Sequence, residues 1–192
     1  ATEGVDLNRN YPFGWGVLDE KGSRTWTRSN YYRGPEAGSE PEVQAILTWA
    51  QSYQPAVVIS WHTMGNMILS PYTIDGYTPL SPDIPWQIAE QLLDGLPAPV
   101  GRKTPPRLKR KMYSVDGVDQ DWHLYNHGAM AYIVEGSHHN PLDQSIRNAS
   151  VSLYRPIRNR LLNHLESGPA IRLQVLDPDN RPIRAKIEIN EI

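Results

Sequence analysis

Ala131-Tyr132-Ile133-Val134-Glu135-Gly136 is an apolar, β-branched run that ends on one carboxylate. Stiff side chains such as Ile and Val favour extended backbone, so the run predicts a buried strand whose last side chain delivers an ionisable group to a site. A carboxylate in such surroundings is costly unless it is paired, metal-bound or partly protonated. Glu135 is therefore the first candidate functional residue, against the plainer reading of a strand-end glutamate facing solvent.

Working outward, Ala56-Val57-Val58-Ile59-Ser60-Trp61-His62 is a second run of this kind, and it ends on a histidine. It reads as a buried strand of the parallel-sheet type. Ligands gather at the carboxyl ends of strands in open α/β sheets, and both His62 and Glu135 fall there. A strand-end histidine is usually just hydrogen-bonded, yet neutral imidazole is also a common zinc ligand. Met67 to Tyr72 reads as a further short strand. Helices are predicted over 40–53, where Ser39-Glu40-Pro41-Glu42 gives the start signals, and over 83–95, 119–126 and 145–165, the last stopped at Gly168-Pro169.

The segments between these elements carry the polar chemistry. Gly4-Val5-Asp6-Leu7-Asn8-Arg9-Asn10 crowds short polar side chains around one guanidinium, on what reads as a strand end entering a loop. A planar guanidinium beside an amide suits two-point capture of a carboxylate. Residues 11–39 form a long tract without periodicity, a common make-up for a cleft wall. The basic run over 97–112 reads as a solvated surface loop. Tyr113 closes it, and Asp116 to Asp121 reads as a flexible loop leading into the third helix. His138-His139-Asn140-Pro141 reads as a turn, because adjacent histidines rarely bind one ion. Beyond Gly168 the pattern changes: Ile171 to Val175 and Ala185 to Ile189 alternate at period two around Asp177-Pro178-Asp179-Asn180. An isolated two-stranded ribbon is marginal in water, so this hairpin predicts the start of a second, all-β module.

Composition narrows the function classes. A chain of 192 residues fits one domain with a sizeable core and a small appendage. The formal net charge of -2 provides no global basic field, so nucleic acid and acidic membrane are not expected partners. Six Trp and ten Tyr against one Phe favour rings with a polar tip, as peptide- and sugar-binding clefts use. The absence of Cys removes disulfides, thiolate ligands and a thiol nucleophile. No apolar run approaches the roughly 20 residues of a membrane span.

Taken in order, Gly4 to Asn10, the strand-end His62, the loop Tyr113, Asp121-Trp122 and the strand-end Glu135 resemble the zinc metallocarboxypeptidase family, the carboxypeptidase A-like peptidases. The resemblance runs from Gly4 to about Leu165 and includes the local spacing from Tyr113 through Trp122 to Glu135. It implies an α/β fold with a mixed, largely parallel sheet flanked by helices, and a catalytic portion over 1–168. It also implies that His62 is a ligand to Zn2+ and that Glu135 is the general base. Asn8, Arg9 and Tyr113 would hold the terminal carboxylate of peptide or protein C-termini, Arg9 lying also near the scissile carbonyl, and Gln120 would line the specificity pocket. Gln at that position resembles the carboxypeptidase N/E branch, whose members carry a transthyretin-like β domain; residues 169–192 would begin such a small β-sandwich. The acidic residue that this branch places eleven positions after the ligand His is Thr73 here. Leu69, Thr73, Val118 and Gln120 thus suggest a neutral or mixed pocket. The long loop after Asn10 instead resembles carboxypeptidase T-like members. The family's His-x-x-Glu pair of ligands has no counterpart in this sequence. Two readings follow: the chain is the downstream part of a longer polypeptide whose N-terminal segment supplies those ligands, in an enzyme secreted or periplasmic by resemblance; or it is a non-catalytic peptide- or glycan-binding relative without a complete zinc site.

Overall fold

A computed structural model describes residues 4–78, 81–137, 140, 143–167 and 175–183. In chain order the elements are α1 (Pro41–Tyr53), β1 (Val57–His62), β2 (Met67–Leu69), α2 (Ile84–Leu93), β3 (Arg107–Lys109), α3 (Asp119–His127), β4 (Met130–Glu135) and α4 (Gln144–Ser167). Four strands form one sheet in the order β1-β4-β2-β3. β1 runs parallel to β4 and β2 parallel to β3, while β2 and β4 are antiparallel. This is the predicted mixed, largely parallel α/β sheet flanked by helices.

Alternation along β4 decides which side chain goes where. Tyr132 and Val134 face one side of the sheet and pack with Ile68, Ile88, Leu92, Tyr154, Ile157 and Leu161 into the main core under α2 and α4. Each large side chain so buried contributes about 1.5–3 kcal/mol. The Tyr132 hydroxyl donates to the Pro85 carbonyl at 2.9 Å, tying the start of α2 to the central strand. Ile133 takes the opposite face with Met67 and Leu69, and period two puts Glu135 on that face too. A second core of Tyr11, Phe13, Val43, Ala50, Ile74 and Trp122 joins α1 and α3 to the long N-terminal tract.

Several expectations need correction. The stretch Arg107-Leu108-Lys109, read as part of a solvated loop, is the edge strand β3. Its two charged residues mask it in sequence, and charge is how edges are kept from further pairing. The expected strand end at residues 4–10 is a 3-10 turn over Leu7–Arg9. Here Asp6 caps the turn by accepting from the Asn8 N–H at 3.1 Å. β1 is half-buried rather than buried, since only β4 flanks it among the described residues and Trp61 stands in solvent.

The loop before α3 is pinned rather than flexible. Asp116 is fully buried and accepts from the Leu18 N–H at 2.9 Å, and Tyr11 N–H donates to the Gly117 carbonyl at 3.0 Å. Within the predicted hairpin, Asp177 and Arg181 close a turn, with Asp177 N–H donating to the Arg181 carbonyl at 2.9 Å. The strands expected on either side, like His138, His139 and Pro141, lie mostly or wholly outside the described residues.

Gly117 is where loop and site meet. Its φ is +68°, and a Cβ there would lie 2.3 Å from the Arg9 carbonyl oxygen. Gly117→Ala therefore combines backbone strain with displacement of Arg9. Denaturant unfolding should register a loss of about 2 kcal/mol or more; an unchanged midpoint would show that the loop yields freely.

Candidate active site

Sheet register creates the centre of the site. His62 and Glu135 are Cα partners across the β1–β4 pair, so their side chains leave the same face at the carboxyl ends of two parallel strands. The ladder continues past them, with Gly136 N–H donating to the His62 carbonyl at 2.8 Å. Gly65 makes room alongside: a Cβ on it would sit 3.0 Å from that of Glu135. Glu135 is buried, its Oε2 has no hydrogen-bond partner, and burial raises its pKa to about 7. A cation brought beside it would lower that value again. Burial pushes the His62 imidazole below its ordinary value; Asp6 opposes the shift and Arg9 adds to it. A neutral imidazole is the form that ligates a metal.

The 3-10 turn supplies the donors on the rim. The Asn8 carboxamide oxygen accepts from the Asp119 N–H at 3.1 Å, which leaves the amide NH2 as the available group. Arg9 is only 6 % exposed. Its Nη1 donates to the Asn8 carbonyl at 2.6 Å and its Nη2 to the Tyr113 hydroxyl at 3.2 Å, while Nε has no partner. The Tyr31 ring lies 5.7 Å from the guanidinium carbon and packs edge-on against Tyr113 at 6.5 Å between centroids. The Tyr113 hydroxyl titrates above its ordinary value, raised by burial more than Arg9 lowers it.

One cavity of about 210 Å³ gathers these groups. Asn8, Arg9, His62, Tyr113, Gln120 and Glu135, the six residues singled out in the sequence, all line it, as do Leu69, Thr73 and Val118. Tyr31 and Gly65 were not singled out as site residues. Tyr31 lay in the tract read as a cleft wall, but nothing local distinguished it from Tyr32. Among the described residues no three His, Cys, Asp or Glu side chains converge as a metal site. His62 fits a zinc ligand in position and protonation, but one imidazole does not complete a tetrahedral site.

A strand-end imidazole and carboxylate thus face one cavity whose wall also carries a buried guanidinium. The chain belongs to the zinc carboxypeptidase family, whose sequence model matches residues 1–150. It is 33% identical over 131 residues to metallocarboxypeptidase A of Arthroderma otae, covering 63% of this chain and 29% of that protein. Over 70 residues it is 40% identical to human carboxypeptidase A5, covering 36% of this chain and 15% of that one. Its fold matches the crystal structure of carboxypeptidase A from Helicoverpa armigera with a TM-score of 0.69 at 22% identity, covering 85% of this chain and 42% of that chain. The chain thus spans less than a third of the length of these curated relatives.

Two aspartates at the start of α3 lie behind the cavity. Asp121 accepts from the N–H and hydroxyl of Thr73 at 2.9 and 2.7 Å, and burial still raises it to about 6. Asp119 accepts from the Ser60 hydroxyl, its Oδ1 has no partner, and burial raises it to about 7. The folded chain therefore holds a proton on Asp119 that the unfolded chain releases from about pH 4 upward, so this group's stabilisation is lost as pH rises to about 7. Buried His123, lowered to about 4, works with the opposite sign. Comparing Asp119→Asn with the parent isolates the aspartate. In thermal melts the variant should gain several degrees relative to the parent between about pH 5 and pH 8; a difference independent of pH would mean that Asp119 titrates normally.

Proposed function

We propose that this chain is the part of a zinc-dependent metallocarboxypeptidase that carries the general base, the clamp for the substrate's terminal carboxylate and one zinc-ligating imidazole. The enzyme hydrolyses the C-terminal peptide bond of peptides or proteins. The observation that carries this reading is that His62, Glu135 and Arg9 line the same cavity. In this reading His62 is one zinc ligand, and the remaining ligands belong to polypeptide N-terminal to this sequence. The short span of the chain along its relatives supports that assignment. In this reading the enzyme is secreted or periplasmic.

Bound zinc supplies a Lewis acid for the scissile carbonyl and lowers the pKa of water. The residues of this chain do the rest. Glu135 takes a proton from the attacking water as its oxygen bonds to the carbonyl carbon, then returns that proton to the nitrogen as the C–N bond breaks. Its pKa, raised by burial, and its unpartnered oxygen support that role. Arg9 and the Asn8 amide hold the terminal carboxylate, and Arg9 borders the carbonyl oxygen as charge develops there. Tyr113 closes over the occupied cavity from its bond to Arg9. No helix among the described residues is long and apolar enough to cross a membrane.

A second reading, a non-catalytic peptide- or glycan-binding relative, is favoured by the absence of three converging metal donors among the described residues. Zinc content separates the two. Equilibrium dialysis of the full polypeptide should give one zinc per chain, and chelator should abolish release of the last residue from a blocked dipeptide. Zinc-free protein that still binds peptides would establish the second reading, and chelator-insensitive cleavage would remove zinc from the first.

Single substitutions then divide binding from chemistry. Glu135→Gln should keep zinc and peptide binding while kcat falls by about 10²–10⁴-fold. Arg9→Met should lower kcat on free and amidated peptides alike, through the charge lost beside the carbonyl, and should raise KM only where the terminus is a free carboxylate. An equal change of KM on both substrates would place the guanidinium outside carboxylate recognition.

A further inference from the structure

The most isolated polar group on the cavity wall is the side chain of Gln120. It is fully buried, and both its amide nitrogen and its amide oxygen lack a hydrogen-bond partner. A buried carboxamide left so is costly, and native structures keep such groups where a ligand or water completes them. Its companions on the wall include Leu69, Val115, Val118 and Ile133, whose side chains offer no polar partner. Of the polar lining residues, Thr73 already gives its hydroxyl proton to Asp121 at 2.7 Å, and none of the others bonds to Gln120.

We propose that Gln120 makes this cavity select a C-terminal residue whose side chain offers a neutral donor and a neutral acceptor together, the carboxamide of Gln or Asn. The proposal deepens the peptidase reading and rests on it. A ligand carboxamide can give one N–H to the Gln120 oxygen and accept one N–H from its nitrogen, completing both orphaned atoms at once. An apolar terminal side chain completes neither. A carboxylate side chain completes only the nitrogen and sets an anion against the amide oxygen.

A basic side chain fares poorly for a separate reason. Gln120 is the second residue of α3, whose amino end carries partial positive charge, and Arg9 also lines the cavity, while the lining Lys111 is paired with Asp75. Of the lining carboxylates, Asp6 is engaged with the Asn8 N–H and stands 4.0 Å from Arg9, and Glu135 sits at the strand end assigned to the reaction. Asp119 and Asp121 flank Gln120 in α3 but do not line the cavity, Asp119 accepting from Ser60 and Asp121 from Thr73, so no lining carboxylate is free to neutralise a lysine or arginine. Sites built to hydrogen-bond a side chain reject its apolar isostere strongly, because the site's own groups are then left unpaired.

The test uses the full zinc-loaded polypeptide and a series of blocked dipeptides that differ only in the last residue: Gln, Asn, Met, Leu, Lys and Glu. Release of Gln or Asn should exceed release of the isosteric Met or Leu by about tenfold or more in kcat/KM. Gln120→Met should erase that preference, bringing the Gln-to-Met ratio in kcat/KM to about one, and a far-UV circular dichroism spectrum matching the parent's checks that the variant is folded. Equal rates for Gln and Met in the parent, a preference for Lys, or an unchanged Gln-to-Met ratio in Gln120→Met would overturn the proposal. If the parent cleaves none of the peptides, the peptidase reading fails by itself. Calorimetric binding of the same peptides then decides the selectivity: Gln-terminated peptide held about fivefold or more tighter than Met supports it, and equal affinity overturns it.

Discussion

The parallel pairing of β1 with β4, in the register that sets His62 beside Glu135, is the constraint on which the rest of the structure depends. A slip of one residue would turn every side chain of β4 to the other face. Tyr132 and Val134, buried under α2 and α4, forbid that slip, because Ile133 and Glu135 would then enter the apolar core. The hydrophobic core thus chooses the direction of the Glu135 carboxylate without touching it. Hydrogen bonds fix both ends of the pairing, from Met130 N–H to the Ala56 carbonyl at 2.9 Å and from Gly136 N–H to the His62 carbonyl at 2.8 Å.

What the sequence made legible follows from what is local. Strands β1 and β4 and all four helices carry their own periodicity and end signals, and they stand within a few residues of the ranges expected. The strand β3 is three residues long and two-thirds charged, so its pairing with β2 is decided by neighbours rather than by its letters. The same holds for the half-burial of β1, which depends on how many strands flank it. For the site, His62, Glu135, Asn8, Arg9 and Tyr113 stood out because unusual chemistry sits at element ends and loops, whereas Gln120 was marked only by the family resemblance. Tyr31 and Gly65 were not, because their importance lies in approach to Arg9 and Glu135 across the fold. That all six share one cavity is information only the fold contains.

Long-range closure of the cavity falls to backbone groups. Tyr11 N–H bonds to the Gly117 carbonyl, Leu18 N–H to the Asp116 carboxylate and Asp119 N–H to the Asn8 side chain, which together clasp residues 8–18 to residues 116–119. A loop of this length costs substantial closure entropy, and the clasp offsets it while satisfying buried polar groups. Gly117 permits the closest approach, since only the missing Cβ lets the loop lie against the Arg9 carbonyl. Arg9 is in this way held from behind by the same loop whose Tyr113 meets it from the front.

The charge distribution gives the cavity a direction. Arg9 is buried and donates only to neutral oxygens, with Asp6 no nearer than 4.0 Å, so that end calls for an anion. Glu135 is lifted to about 7 by burial alone, so the sheet end calls for a cation or a proton. Under the proposed peptidase reading, a peptide's terminal carboxylate would answer the first demand and point the preceding carbonyl back toward the strand ends. Reversing the peptide would set its ammonium against the guanidinium, so the group proposed to hold the terminus would also reject the opposite polarity.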